Sequence, residues 1–172
     1  MPGELEIIIR RETQADQAAI AAITRAAFQD HPHSQQTEEF IVSALRQAGA
    51  LTLSLVAQID GQVVGHIAFS PATISGRSQG WHGVGPLSVT PPRQRQGIGK
   101  ALVLEGLRLL RQSGAQGCVL VGDPGYYQRF GFRNIPQLVL EGVPQEYFLA
   151  LPLGTDIPHG AVEFHEGFKA RG

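Results

Sequence analysis

Cysteine is almost missing from this chain. Cys118 is the one thiol in 172 residues, so no intrachain disulfide framework is available and the composition suits a reducing compartment. Its setting, GCVLV, is that of a small buried hydrophobe rather than a nucleophile. No run of about 18 apolar residues occurs, which argues against a membrane-spanning helix. An excess of charge is missing too: 14 Lys and Arg stand against 15 Asp and Glu, for a net charge of -1. That balance leaves no global positive field to draw in nucleic acid or an acidic membrane, so any anion site must be local. The opening MPGELEIIIR is acidic where a secretory leader is basic, so no signal peptide is expected and the cytoplasm is the expected location. Six histidines occur without a Cys or carboxylate cluster at ligand spacing, and no metal site is expected.

What is present fits one globular domain over residues 1–172, with 42% hydrophobic residues and no repeat or linker. The β-branched run Leu5 to Arg10 predicts a strand. Thr13 and Asp16 then stand in capping-box spacing before a helix whose apolar face carries Ile20, Ile23, Ala27 and Phe28. A second helix is expected from Thr37 to Gln47, after the polar loop QDHPHSQQ. Two β-rich runs meet at Asp60-Gly61, a pair that tolerates positive φ and predicts a hairpin. Beyond SGRSQG, read as a flexible turn, WHGVGPLSV predicts another strand, with Gly83, Gly85 and Pro86 pointing to a bulge or local splay. A helix from Gly97 to Gln112 and the buried run GCVLVG complete a crossover, so the strands on either side of it are expected to be parallel. The tail offers a short aromatic turn, DPGYYQRFGF, then strand-like pieces LVLEG, YFLALPL and AVEFHEGF.

The stretch RQRQGIGKALVL, from Arg93 to Leu104, is a glycine turn running into a helix. The first N–H groups of a helix lack internal acceptors and carry the positive end of its dipole, so such a turn is built for an anion. Arg93, Arg95 and Lys100 add formal charge around it. A Walker A loop is excluded by the spacing of Gly97 and Gly99, and a dinucleotide fingerprint is broken by Leu102.

The longer stretch LSVTPPRQRQGIGKALVLEGL resembles motif A of the GNAT superfamily of N-acetyltransferases, with Gln94, Gly97 and Gly99 at its defining places. YYQRFGF is similar to that superfamily's Tyr-x-x-x-Gly-Phe signature, and GDPGYYQRFGF together with GAVEFHEGF resembles its YhbS-like branch. The resemblance implies an α/β (α+β) fold with a central mixed, twisted sheet splayed between two parallel strands and flanked by helices. It implies acetyl-CoA as cofactor, with the backbone of Arg95, Gln96, Gly97, Ile98, Gly99 and Lys100, beside Gln94, around the pyrophosphate. Leu87, Ser88 and Val89 would offer their strand edge to pantetheine. The acceptor would be the primary amine of a small molecule or of a peptide or protein, attacked directly in a ternary complex. A homodimer is compatible with the family.

Acetyl transfer to an amine needs an uncharged nucleophile, stabilisation of the carbonyl oxygen and a proton for the leaving thiolate. The N–H of Val89 suits the second task. Tyr127, four places before Gly131, matches the family's tyrosine as general acid, with Tyr126 as the neighbouring alternative expected to face elsewhere. Phe130 and Phe132 are expected to pack. No base is assigned: His66 and His82 are expected to be structural and His31 and His33 to be surface residues. A catalytically silent acyl-CoA-binding module is the alternative reading.

Overall fold

The computed structural model describes residues 6–32 and 34–172; His33 and Leu5, both named above, lie outside the described residues. Strand β1 is Ile8–Arg11, helix α1 Gln17–Phe28, helix α2 Glu38–Gln47, and strands β2, β3 and β4 are Leu53–Ile59, Gln62–Ile74 and Arg77–Val89. Helix α3 is Ile98–Gln112 and strand β5 Gly117–Val121. One turn of helix, α4, covers Pro124–Tyr127, and strands β6, β7 and β8 are Leu138–Val139, Phe148–Pro152 and Gly160–Phe164. The sheet runs β1-β2-β3-β4-β5-β7, with β8 pairing β3 and β6.

Local chemistry accounts for most of these boundaries. Asp16 accepts the backbone N–H of Thr13 at 2.7 Å and holds the guanidinium of Arg10 through two bonds, at 2.8 and 3.0 Å, so the entry to α1 is tied back to β1. Asp60 and Gly61 both take positive φ, 50° and 75°, and join β2 to β3 by the expected tight hairpin. SGRSQG differs from its expected flexible role. Only Ser75 and Gly76 turn, at φ 53° and 74°, and Arg77 pairs Ile74, so β4 begins earlier than composition indicates. Cross-strand pairing prevails there over the weak strand propensity of the polar residues. LVLEG shrinks to the two-residue β6, which pairs only with β8.

Two faces of the sheet are covered. Leu102, Val103, Leu107 and Leu110 of α3 bury against Leu55, Ile67 and Phe69. On the opposite face Ile20 of α1 and Val42 of α2 pack on Val56. Cys118 is fully buried, and burial pushes its thiol up to about 12, which leaves it inert as a nucleophile.

The feature that positions the site is the relation of β4 to β5. They are parallel, as the crossover requires, but pair only from Trp81 to Gly83 with Gly117 to Val119. Past that point β5 keeps only its pairing with β7, which runs along its whole length, while β4 continues to Val89 against β3. The register of β3 and β4 shifts between Ile67 and Phe69, opposite Val84 to Leu87, so the bulge expected from the Gly-Pro sequence sits where the two parallel strands separate.

Candidate acyl-CoA cleft

Separation of β4 from β5 opens a cleft of about 1510 Å³. One wall is the free edge of β4. Thr90 donates its N–H to the carbonyl of Val64 at 2.8 Å, and Val89 stands opposite Gly65. Hydrogen-bonded and non-bonded pairs alternate in an antiparallel ladder, so the backbone groups of Leu87 and Val89 turn outward to the cleft and those of Ser88 turn inward to β3. The expected three-residue edge is therefore two residues. Ser88 is not among the residues that line the cleft, and its side chain is buried on the α1 face.

The floor at one end is the turn into α3. Arg95 takes φ 66° and Gly97, the residue before the helix, φ 85°, a conformation that only Gly adopts without strain. Among the described residues, none of the backbone N–H groups from Arg95 to Lys100 finds an acceptor within the chain; the first bond of the helix is from Ala101 to the carbonyl of Gly97, at 3.0 Å. Amides left open at the positive end of a 15-residue helix are an arrangement suited to an anion, the chemistry that the glycine spacing leads one to expect. Arg93, Arg95 and Lys100 line the same cleft. Gln94 serves the turn itself, donating its side-chain amide to the carbonyl of Val89 at 3.1 Å and so fastening the turn to the strand edge. Gln96 bonds back to Pro92 and does not line the cleft.

The facing wall comes from β5 and the aromatic turn after it. Asp123 caps α4 by accepting the N–H of Gly125 at 2.9 Å and fixes where the two tyrosines point. Both reach the cleft. The expectation that Tyr126 faces elsewhere is not met, because α4 is a single turn rather than a helix long enough to separate neighbours by face. The Tyr126 ring stacks edge-on to Tyr127 at 4.9 Å and lies under the Arg129 guanidinium at 4.8 Å. Burial, and then the neighbouring Tyr126, holds the Tyr127 hydroxyl well above the usual tyrosine range. Burial also raises Tyr126, with Arg129 opposing. Phe132 packs in the core and Phe130 against its edge, as expected.

The remaining boundary was only partly legible. His31 and Ser34 of the α1–α2 loop line the cleft, as do Phe28 at the end of α1 and Glu38 at the start of α2. Ser34 donates to Glu38 at 2.6 Å. Val143, Pro144 and Tyr147, between β6 and β7, close the other side; nothing in their sequence marks them, since their role comes from where the chain returns. His66 and His82 do not line the cleft. Burial pushes His66 down to about 4, with Glu12 opposing and Arg46 adding, and burial likewise lowers His82. Among the described residues no group of three or more His, Cys, Asp or Glu could hold a metal ion, and no helix is long and apolar enough to cross a membrane.

A splayed parallel pair beside an amide-lined helix start defines a class, and comparison with known proteins gives the same answer. Residues 18–132 match the Acetyltransferase (GNAT) family, and the chain belongs to that family. Over 170 residues it is 41% identical to the uncharacterized N-acetyltransferase YhbS of Escherichia coli strain K12, covering 95% of this chain and 99% of that protein. Among solved structures, a GNAT family acetyltransferase from Brucella melitensis in complex with acetyl-CoA is 51% identical, with a TM-score of 0.86 over 96% of this chain and 99% of that one. Escherichia coli YhbS in complex with CoA superposes with a TM-score of 0.91 at 35% identity, over 100% of this chain and 97% of that one.

Proposed function

We propose that the protein transfers an acetyl group from acetyl-CoA to the primary amine of a small molecule or peptide, by direct attack while both substrates occupy the cleft. The free amides between Arg95 and Lys100, on residues that apart from Gln96 line the same cleft as Leu87 and Val89, carry this reading. The amides and the charges of Arg93, Arg95 and Lys100 meet the needs of a diphosphate, and the strand edge meets those of an amide-bearing arm. Gly99 leaves the backbone open to close approach: among its neighbours only the Tyr126 hydroxyl comes within 3.4 Å of where a Cβ would stand. Acetyl-CoA, when bound, supplies a thioester carbonyl as the electrophile.

The chain's own groups then divide the work. The outward N–H of Val89 polarises the carbonyl oxygen, as a preorganised donor in a partly desolvated site. Tyr127 donates a proton to the departing sulfur. Its hydroxyl stays protonated at neutral pH because burial disfavours the phenolate, and a thiol of ordinary pKa near ~8.5 is the more acidic partner, so the thiolate is a competent leaving group. The α1–α2 loop and the segment around Tyr147 form the acceptor side. We infer a cytoplasmic location, a reducing compartment that suits the buried unpaired thiol of Cys118.

Calorimetry with coenzyme A and acetyl-CoA, followed by thiol release against a panel of amines and peptides, tests the reading. Saturable binding with amine-dependent thiol release supports it. Binding without turnover on any acceptor favours the silent acyl-CoA module, and absence of binding removes both.

A further inference from the structure

Formal charge is unevenly divided among the segments that line the cleft. Arg93, Arg95 and Lys100 gather at the turn into α3, and Arg129 lies over Tyr126, whose hydroxyl faces Gly99. Asp123, on the facing wall, is engaged in capping α4. On the acceptor side, lined from α1, α2 and the loop between them and from the segment between β6 and β7, Glu38 is the one Asp, Glu, Lys or Arg among the described residues. Phe28, Val143, Pro144 and Tyr147 make the rest of that side largely apolar.

Glu38 also differs from the other sheltered carboxylates of the protein. Among the described residues five Asp or Glu are buried or half-buried: Glu12, Asp16, Glu38, Glu39 and Glu105. Four of them hold an arginine within 3.0 Å, Glu12 with Arg46, Asp16 with Arg10, Glu39 with Arg25 and Glu105 with Arg108. Glu38 holds none. Its partner is Ser34, which donates to Oε1 at 2.6 Å, and Oε2 has no hydrogen bond among the described residues. Ser34 in turn accepts the N–H of Gln36 at 2.8 Å, and the Gln36 side chain bonds the carbonyl of Gln29, just past α1, at 2.6 Å, so a fastened loop orients the carboxylate. Taking a carboxylate partly out of water costs free energy that a paired cation returns. The positive end of α2 favours an acid at its first residue, yet Glu39 at the same helix end still holds its arginine. Glu38 is a charge whose counter-ion the chain does not supply.

We propose that Glu38 selects the acceptor: the substrate bears, besides the amine that is acetylated, a second positive group, an ammonium or guanidinium, which pairs with the open oxygen of Glu38. This rests on the acetyl-transfer reading. The reacting nitrogen itself is the poorer partner. It must be uncharged to attack, and a carboxylate bonded to it favours its protonated form. A second cation brings no such conflict, because its charge and its pairing are the same before and after transfer. Phe28 and Tyr147 line the same side with aromatic rings, surfaces that suit both a cation and the chain that carries it. Glu38 is a specificity residue: it does not touch the reacting atoms, and its contribution lies in binding rather than in the chemical step.

Thiol release tests the selection with unbranched diamines, each set against the monoamine of equal length, and with alanyl-arginine amide set against alanyl-glutamine amide. The doubly charged member of a pair should have a kcat/KM about tenfold higher, through KM, and Glu38→Gln should remove that ratio while acetyl-CoA affinity and thermal melting show the cofactor site and the fold retained. Glu38→Asp should restore part of it. A ratio confined to the diamines makes the acceptor a small molecule, and one confined to the dipeptides makes it a peptide; either supports the proposal. Equal values within every pair, or a ratio that survives Glu38→Gln, overturn it. A loss of kcat in Glu38→Gln that falls equally on both members places Glu38 at the reacting nitrogen and overturns it as well. If the parent protein acetylates no amine, the acetyl-transfer reading falls and the selection with it. Calorimetry of the diamines on the coenzyme A complex then decides the cation site alone, with binding expected in the parent and lost in Glu38→Gln.

Discussion

The hydroxyl of Tyr126 stands 2.9 Å from the point where a Cβ on Gly99 would lie. The aromatic turn after β5 and the glycine turn before α3 therefore meet across one end of the cleft, although 27 positions separate the two residues in the chain. Gly99 has ordinary helical φ, so its role is space rather than backbone freedom.

Gly99→Val should weaken coenzyme A binding about tenfold or more, roughly 1.4 kcal/mol or above, because the new side chain displaces Tyr126 and crowds the free amides. Calorimetry measures it, and thermal melting should show the fold retained. Affinity equal to the parent's would mean that the diphosphate does not lie over this turn.

The two tyrosines should separate kinetically. Tyr127→Phe is expected to lower kcat by about 10² with acetyl-CoA affinity nearly intact, the scale of losing a positioned acid. Tyr126→Phe should act on affinity more than on kcat, since its hydroxyl faces the glycine turn. The reverse pattern would reassign the acid.

Asp16 gives the protein an acid-sensitive joint. The Arg10 guanidinium holds its carboxyl well below the usual range, with the backbone and hydroxyl of Thr13 adding and burial opposing. A carboxyl depressed on folding contributes stability in full above its unfolded value near ~3.9, and the contribution is lost as pH falls through the folded value. Asp16→Asn should therefore lower the melting temperature at pH ~7 and leave it nearly unchanged at the acid end of the titration. A constant difference at all pH values would show that the carboxylate's charge is not what matters.

His66 acts in a different window. Its folded value near 4 lies below its ordinary 6.5, so the unfolded chain binds more protons between those values. The contribution is complete above pH 6.5 and is withdrawn as pH falls towards 4. Denaturant melts across that interval should show stability falling with acid, and His66→Gln should flatten the slope there while lowering stability at neutral pH. An unchanged slope in the variant would place the titration elsewhere.

Local signals were legible because they are short-range. The Asp60-Gly61 hairpin, the glycine before α3, the β-α-β crossover and the weakened Gly-Pro stretch of β4 each rest on the conformational limits of a few adjacent residues, and the structure has them all. The same locality marked the amide row from Arg95 to Lys100, since a helix start leaves its first donors open whatever surrounds it.

Tertiary structure alone decided the rest. Whether Ser88 or its neighbours face the cleft depends on the phase of the ladder with β3, which composition does not set. Tyr126 reaches the site because α4 stops after one turn, and Tyr147 because β7 returns beside β5. Glu12, Ser54 and His66 meet only after three strands align, and no periodicity announces a contact between residues 42 and 12 positions apart. The chain's own order dictates which groups seek a partner; long-range pairing chooses the partner, because strand register and burial are settled by the whole sheet at once.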